Sequence, residues 1–159
     1  MKESPIFLAR RVVQKFSDAY AAELVPIYGR QAGRALTLTL PQYFTLRAIA
    51  RFDQAPSQTD LVEATGIDRS TMAALIRGLR RRGFITRVRR KDDARAYAIR
   101  VSEEGAKIVA KVAPIVERVE RNLLAKIPAK NRDAFLATLE QLAFLEIHEP
   151  EAVQQKRAA

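Results

Sequence analysis

The chain has 159 residues, 48% of them hydrophobic, and its 28 basic and 18 acidic residues give a formal net charge of +10. A chain of this length buries about 70% of the surface that it exposes when unfolded, which excludes disorder as its overall state. It has no cysteine and one histidine, so disulfides, thiolate metal sites and thiol redox switches are excluded and no cofactor is expected. Arg10, Arg11 and Lys15 interrupt the apolar N-terminal pattern. We therefore expect no signal peptide, no membrane span and a cytoplasmic location.

The positive charge is concentrated in one part of the chain. Residues 68–100 hold 11 basic and 3 acidic residues, a balance of +8, whereas residues 1–67 hold 8 and 6 and residues 101–159 hold 9 and 9. A solubilising surface would normally mix both signs. The concentration therefore favours a surface that meets a polyanion, with nucleic acid as the first candidate.

The first half of the chain shows the periodicity of helices. Apolar residues at helical spacing predict a long first helix that loses regularity near Pro26. Its apolar positions are Phe7, Val12, Val13, Phe16, Tyr20 and Leu24. Pro41 is expected at the start of a second helix, which carries Phe44, Leu46, Ala48, Ile49 and Phe52 and ends over residues 53–56.

Two short helices are predicted next. Ser57 and Asp60 form a capping-box pattern that opens a third helix, and Gly66 is expected to stop it. Asp68 or Ser70 caps a fourth helix, which Gly83 ends. Its buried stripe is expected to be Met72, Leu75, Ile76 and Leu79.

From Ile85 to Val101 the period changes to two, which predicts a two-stranded hairpin with a charged tip. Ser102 is expected to cap a long helix that extends to Ile127, and Pro128 separates it from a last helix through Leu145. The fold class is therefore mainly α with a small β-hairpin. We expect residues 149–159 to be a frayed tail.

Two short helices joined at a glycine and followed by a basic hairpin make a winged helix-turn-helix. In such a unit the second helix presents its exposed side to the major groove, and the hairpin contacts adjacent phosphates or the minor groove. Arg95 would be the minor-groove residue and Asp93 its positioning partner. The alternative is a helical domain in which the two helices only pack together and the hairpin is a solvated loop.

The segment IDRSTMAALIRGLRRRGFITRVRRKDDARAYAIRVSEEG resembles the MarR family of bacterial transcriptional regulators. The motifs LTLPQ at 38–42, SQTDL at 57–61 and DRST at 68–71 match in order and spacing. The resemblance implies a homodimer, DNA reading by a recognition helix and a wing, and regulation by a small ligand, commonly aromatic. The expected DNA contacts are Ser57, Gln58, Arg69, Ser70, Thr71, Ala73, Ala74, Arg77, Arg87, Arg89, Arg90, Lys91, Asp93 and Arg95.

Two features depart from the family pattern. Ala73 and Ala74 stand where relatives often have Thr and a long basic residue, and Gly78 lies inside the fourth helix. We therefore expect less direct base readout and more reliance on Arg69, Arg77, the wing and DNA shape.

The terminal helices carry more apolar surface than a winged domain can cover. Their simplest use is a twofold dimer, which predicts a palindromic site in double-stranded DNA. The expected organisation is dimerisation helices at 1–36 and 106–148 around a winged domain at 37–105. The alternative is an intramolecular helical subdomain.

A small-molecule effector site is expected between the first two helices. An arginine beside aromatic rings suits an aromatic or anionic ligand, such as a phenolic acid or an aromatic acyl-CoA. The expected lining is Phe16, Tyr20, Tyr43, Phe44 and Arg47. The alternative is that these are core aromatics with an arginine that reaches solvent.

Other functional classes fit less well. The sequence contains no catalytic constellation and no phosphate-binding glycine loop, so an enzyme is not expected. A ligand-independent architectural DNA-binding protein, working through backbone contacts alone, is the main alternative. A winged domain that binds proteins is a third alternative, but the arginine-rich wing argues against it.

Overall fold

The computed structural model describes residues 4–28, 38–89 and 97–145. It confirms a mainly helical fold with one antiparallel hairpin in the described part of the chain. The elements are α1 Pro5–Tyr28, α2 Leu40–Arg51, α3 Gln58–Thr65, α4 Arg69–Arg81, β1 Ile85–Arg89, β2 Tyr97–Val101, α5 Glu103–Leu124 and α6 Ala129–Ala143.

Local sequence signals set most helix ends. The Thr39 hydroxyl accepts from the backbone N–H of Gln42, and the Gln42 side chain closes the capping box at the start of α2. Ser57 and Asp60 form the predicted box at α3. Gly66 and Gly83 adopt left-handed φ values of 66° and 73°, which glycine reaches without steric cost.

α1 includes Pro26 and is described as far as Tyr28, two residues beyond the proline near which the sequence predicted a loss of regularity. Two other predicted helix ends are wrong. α2 ends one residue early, since Phe52 is extended with ψ 131°. α5 ends at Leu124 because a turn, in which the N–H of Ile127 donates to the carbonyl of Leu124 at 3.0 Å, precedes Pro128.

The hairpin has a simple register. Ile85 lies opposite Val101 and Arg89 opposite Tyr97. The segment before α3 also contacts β2, because the N–H of Ile99 donates to the carbonyl of Pro56 at 2.8 Å. The middle of β2 is therefore bonded to the segment that leads into α3.

The core lies in the first of two compact units, residues 1–121. Met72, Ile76 and Leu79 of α4 are buried, as predicted, while Leu75 is half-buried. An ion pair between Arg118 and Glu23, 2.7 Å long, links α5 to α1. The other buried apolar side chains come from every remaining element of this unit: Tyr20, Leu24, Leu38, Tyr43, Leu46, Ile49, Leu61, Ile85, Ala98, Ile99, Val112, Ile115, Val116 and Val119.

The second unit spans residues 122–159, and its described part contains α6. No residue of α6 is buried. Among the residues that the structure describes, no helix is long and apolar enough to cross a membrane. The predicted tail at 149–159 and the tip of the hairpin lie outside the described residues.

Candidate nucleic-acid interface

The N-terminus of α4 is fixed by Asp68. Its carboxylate accepts from the Ser70 hydroxyl at 2.6 Å and from the backbone N–H groups of Ser70 and Thr71 at 3.0 and 2.9 Å. The hydrogen bonds from Ser70, followed by those from Thr71, hold the pKa of Asp68 well below its usual range. The predicted choice between Asp68 and Ser70 as the cap is thus resolved in favour of Asp68.

This cap predicts a pH dependence. Because the pKa of Asp68 is lowered by folding, ionised Asp68 stabilises the fold above the ordinary aspartate pKa, and this contribution is lost as the pH falls towards the lowered value. Asn caps helices as well as Asp but does not titrate. We expect the melting temperature of wild type to fall relative to that of Asp68→Asn between pH 5 and pH 3, measured by circular dichroism. A difference that is constant with pH would contradict the assignment.

One side of α4 is open to solvent. Five of the predicted groove residues are exposed and Ala73 is half-buried. The exposed ones are Arg69, Ser70, Thr71, Ala74 and Arg77. Since Met72, Ile76 and Leu79 are buried on the opposite side, α4 presents a surface with two arginines eight residues apart in sequence.

Ser57 and Gln58 have structural roles at the start of α3. The Ser57 hydroxyl accepts from the N–H of Asp60 at 3.2 Å, and the Gln58 amide donates to the carbonyl of Arg69 at 3.4 Å. Both side chains are half-buried. The second bond joins the first turns of α3 and α4, so Gln58 helps to fix the position of one helix relative to the other. A DNA contact by Ser57 or Gln58 remains a prediction.

Two of the arginines predicted to contact DNA lie in the described part of the wing. Arg87 and Arg89 on β1 are exposed, and the Arg87 guanidinium lies 5.6 Å from the centroid of the Tyr97 ring. Stacking on a ring holds a guanidinium in place while leaving its N–H groups available. The other predicted wing contacts, Arg90, Lys91, Asp93 and Arg95, lie outside the described residues.

The predicted effector residues form two groups. Arg47 donates to the Tyr43 hydroxyl at 3.3 Å, and the Phe44 ring meets the Tyr43 ring edge-on at 5.4 Å. Buried Tyr20 donates instead to the carbonyl of Leu38 at 2.7 Å, and Phe16 is half-buried on α1. The described contacts thus bring together the three α2 residues, and Phe44 remains 46% exposed.

A cleft of about 850 Å³ that sequence reasoning missed lies between the α2–α3 connection and the hairpin. No sequence pattern marked it, because it forms only when the connection and the sheet meet. Its walls include Phe52, Pro56, Val88, Arg89 and Arg100. Among the described residues, no group of three His, Cys, Asp or Glu side chains could hold a metal ion.

Sequence reasoning also missed two contacts that position the elements predicted to face DNA. The Ser102 hydroxyl donates to the carbonyl of Gly83 at 2.6 Å and accepts from the N–H of Gly105, which joins the end of α4 to the start of α5. Arg82 donates to the Gln42 side chain at 3.1 Å. The TLPQ pattern at 39–42 has the spacing of a capping box, but nothing in the sequence connects it with Arg82.

Comparison with known proteins agrees with this geometry. A model of the MarR family matches residues 36–96. The transcriptional regulator HosA of Escherichia coli O157:H7 is 30% identical over 105 residues, which cover 66% of this chain and 77% of HosA.

Two solved structures share the fold. Bordetella bronchiseptica BpsR, whose DNA binding is regulated by 6-hydroxynicotinic acid, is 22% identical with a TM-score of 0.76, over 91% of this chain and 96% of its own. The transcriptional regulator PcaV of Streptomyces coelicolor, solved with its natural ligand, is 26% identical with a TM-score of 0.70, over 90% of this chain and 97% of its own. The chain described here belongs to the MarR family of transcriptional regulators.

Proposed function

We propose that the protein is a homodimeric, sequence-specific DNA-binding regulator, most simply a cytoplasmic repressor that a small aromatic or anionic ligand releases from DNA. The observation that carries the proposal is that Arg69 and Arg77 are exposed on α4 and that Arg87 and Arg89 are exposed on β1, the strand that follows α4 in the chain. These groups lie in the segment with a charge balance of +8. Arginine is suited to this task because it pairs with guanine edges and with phosphates in the same planar geometry.

Dimerisation is supported by apolar surface that the chain leaves uncovered. Ile6 and Val13 lie on the same side of α1 as Tyr20 and Leu24, which are buried, yet they are 83% and 67% exposed. The first half of α1 therefore presents a core-type face to solvent. On α6, Leu136, Leu139 and Leu142 are also exposed. A second copy of the chain, packed symmetrically, would cover both surfaces.

The binding test contrasts base readout with phosphate contact. Two duplexes are needed: the selected duplex, which wild-type protein enriches from a random library, and a scrambled duplex of the same composition. We expect Arg77→Ala to weaken binding to the selected duplex by about 10- to 100-fold and to lower its preference over the scrambled one. Arg87→Ala should weaken binding to both duplexes by the same factor, because phosphate contacts carry no base information. It should also reduce the salt dependence of the affinity.

The control is Arg121→Ala, which removes the same charge from an exposed position on α5. It should leave both affinities close to wild type. Equal effects of Arg77→Ala and Arg121→Ala, measured by fluorescence anisotropy, would show that α4 is not the reading element.

The effector site is supported by the cluster of Tyr43, Phe44 and Arg47. The Arg47 guanidinium bonds to the hydroxyl of buried Tyr43, and the exposed Phe44 ring contacts the Tyr43 ring, so the cluster offers both charge and stacking to an aromatic carboxylate. A set of aromatic acids and aromatic acyl-CoA thioesters can be screened by thermal shift. We expect at least one compound to raise the melting temperature, and Arg47→Ala to abolish that rise while Arg51→Ala, four residues along α2, retains it. The absence of any shift across the set would remove the effector part of the proposal.

A further inference from the structure

A single side chain connects the first turn of α2 with the C-terminal end of α4. The Gln42 carbonyl oxygen accepts from the backbone N–H of Thr39 at 3.1 Å and from Nη1 of Arg82, also at 3.1 Å. An amide oxygen has two lone pairs, so it can serve both donors. Gln42 and Arg82 are 40 residues apart in the chain, and their hydrogen bond is partly buried.

On the α4 side, Arg82 lies where the DNA-facing elements meet. It is the C-cap residue of α4, and its guanidinium lies 4.5 Å from the centroid of the Phe84 ring. Phe84 immediately precedes β1, and its carbonyl accepts from the N–H of Ser102 at 3.0 Å. A shift of Arg82 would therefore move both the end of α4 and the base of the wing.

On the α2 side, Gln42 is attached to a fixed part of the core. Thr39 follows Leu38, whose carbonyl accepts the buried hydrogen bond from the Tyr20 hydroxyl of α1. Tyr43, next to Gln42, is itself buried. The acceptor that holds Arg82 therefore belongs to a segment anchored on α1 and in the core.

We infer that Gln42 is a positioning residue for DNA reading, which fixes the C-terminal end of α4 and the wing base against the anchored first turn of α2. The N-terminal end of α4 has its own supports in Asp68 and Gln58. With both ends held, the arginines of α4 meet the groove at one angle, which direct readout requires. This inference rests on the proposed function.

The test separates this link from the helix cap of which Gln42 is also part. Gln42→Ala removes both hydrogen bonds of the amide oxygen, whereas Thr39→Ala removes only the hydroxyl that caps Gln42 and leaves the acceptor for Arg82. Gln42→Glu keeps an acceptor at the same place. Affinities for the selected and scrambled duplexes are measured by fluorescence anisotropy, and folding by thermal melts.

We expect Gln42→Ala to weaken binding to the selected duplex by about tenfold, the effect of one charge-assisted hydrogen bond, with a smaller change for the scrambled duplex. Thr39→Ala should lower the melting temperature but keep the ratio of the two affinities. Gln42→Glu should restore that ratio. A purely structural role would instead make Gln42→Ala and Thr39→Ala behave alike.

Two other results would count against the inference in different ways. If wild type prefers the selected duplex and Gln42→Ala keeps the whole preference, the positioning role is wrong and the proposed function stands. If wild type binds both duplexes equally, the proposed function fails, and the inference fails with it.

Discussion

Leu142→Glu should convert the protein from a dimer to a monomer and reduce its affinity for the selected duplex by at least about 100-fold. The affinity loss follows because a dimer engages two half-sites at once, and linking two binding units raises affinity about 10²- to 10⁴-fold. Leu142 is 64% exposed on α6 in the isolated chain, so a carboxylate there costs the monomer little. In the proposed dimer the same carboxylate would be buried without a partner, which is strongly unfavourable.

Gln141→Glu is the matched control. It makes the same change of charge at the adjacent, exposed position of α6 and should keep both the dimer and the affinity. Light scattering at micromolar concentration gives the oligomeric state, and circular dichroism shows whether the variants fold. Val13→Glu on α1 provides a second variant with the same expected outcome. A wild-type monomer, or a Leu142→Glu dimer with unchanged affinity, would contradict the assigned interface.

The second large effect concerns two helical glycines that should respond to alanine in opposite directions. A Cβ at Gly105 would collide with the backbone carbonyl of Phe84 and lie 2.9 Å from Cγ1 of Val101. Because a backbone group cannot move aside easily, α5 would have to separate from the turn that follows α4. We expect Gly105→Ala to lower the free energy of unfolding by about 2 to 3 kcal/mol.

Gly78 on α4 has room for a methyl group. The nearest atom to its Cβ position is the side-chain nitrogen of Gln42 at 3.8 Å, an ordinary contact. Alanine is favoured over glycine inside a helix, so Gly78→Ala should raise the free energy of unfolding by about 0.5 to 1 kcal/mol. Denaturant unfolding of both variants checks the pair. Equal effects of the same sign would mean that the packing around Gly105 is not as tight as described.

The SEEG segment at 102–105 packs against the turn that follows α4. Ser102 caps α5 and bonds back to Gly83, while Gly105 lets α5 approach Phe84. The start of α5 and the end of α4 are therefore packed as one joint. We expect a variant that separates the start of α5 from the end of α4 to weaken DNA binding and to lower the stability of the fold.

Local sequence signals predicted much of this fold. Ser57 with Asp60, Asp68, Gly66 and Gly83 mark helix ends by chemistry that operates within three or four residues, and the structure has each of them in that role. The change of hydrophobic period at Ile85 likewise predicted the hairpin, since the side chains of strands alternate. These features can be predicted from a few neighbouring residues, without information about the rest of the chain.

The remaining features depend on contacts between distant parts of the chain. The bond between Gln42 and Arg82 spans 40 residues and has no periodic signature. The pairing of Tyr43 with Arg47 could be read from their spacing on α2, whereas the bond of Tyr20 to Leu38 could not. Tertiary packing decided the contacts of Gln42 with Arg82 and of Tyr20 with Leu38.

The most direct test of the account is the affinity of wild-type protein for the selected and scrambled duplexes, measured by fluorescence anisotropy at two salt concentrations. The account predicts tighter binding to the selected duplex by a factor of about 10³ or more, because base contacts from α4 add to the phosphate contacts. It also predicts that binding to both duplexes weakens as salt rises. Equal and steeply salt-dependent binding to the two duplexes would contradict sequence-specific reading and would favour an architectural DNA-binding protein.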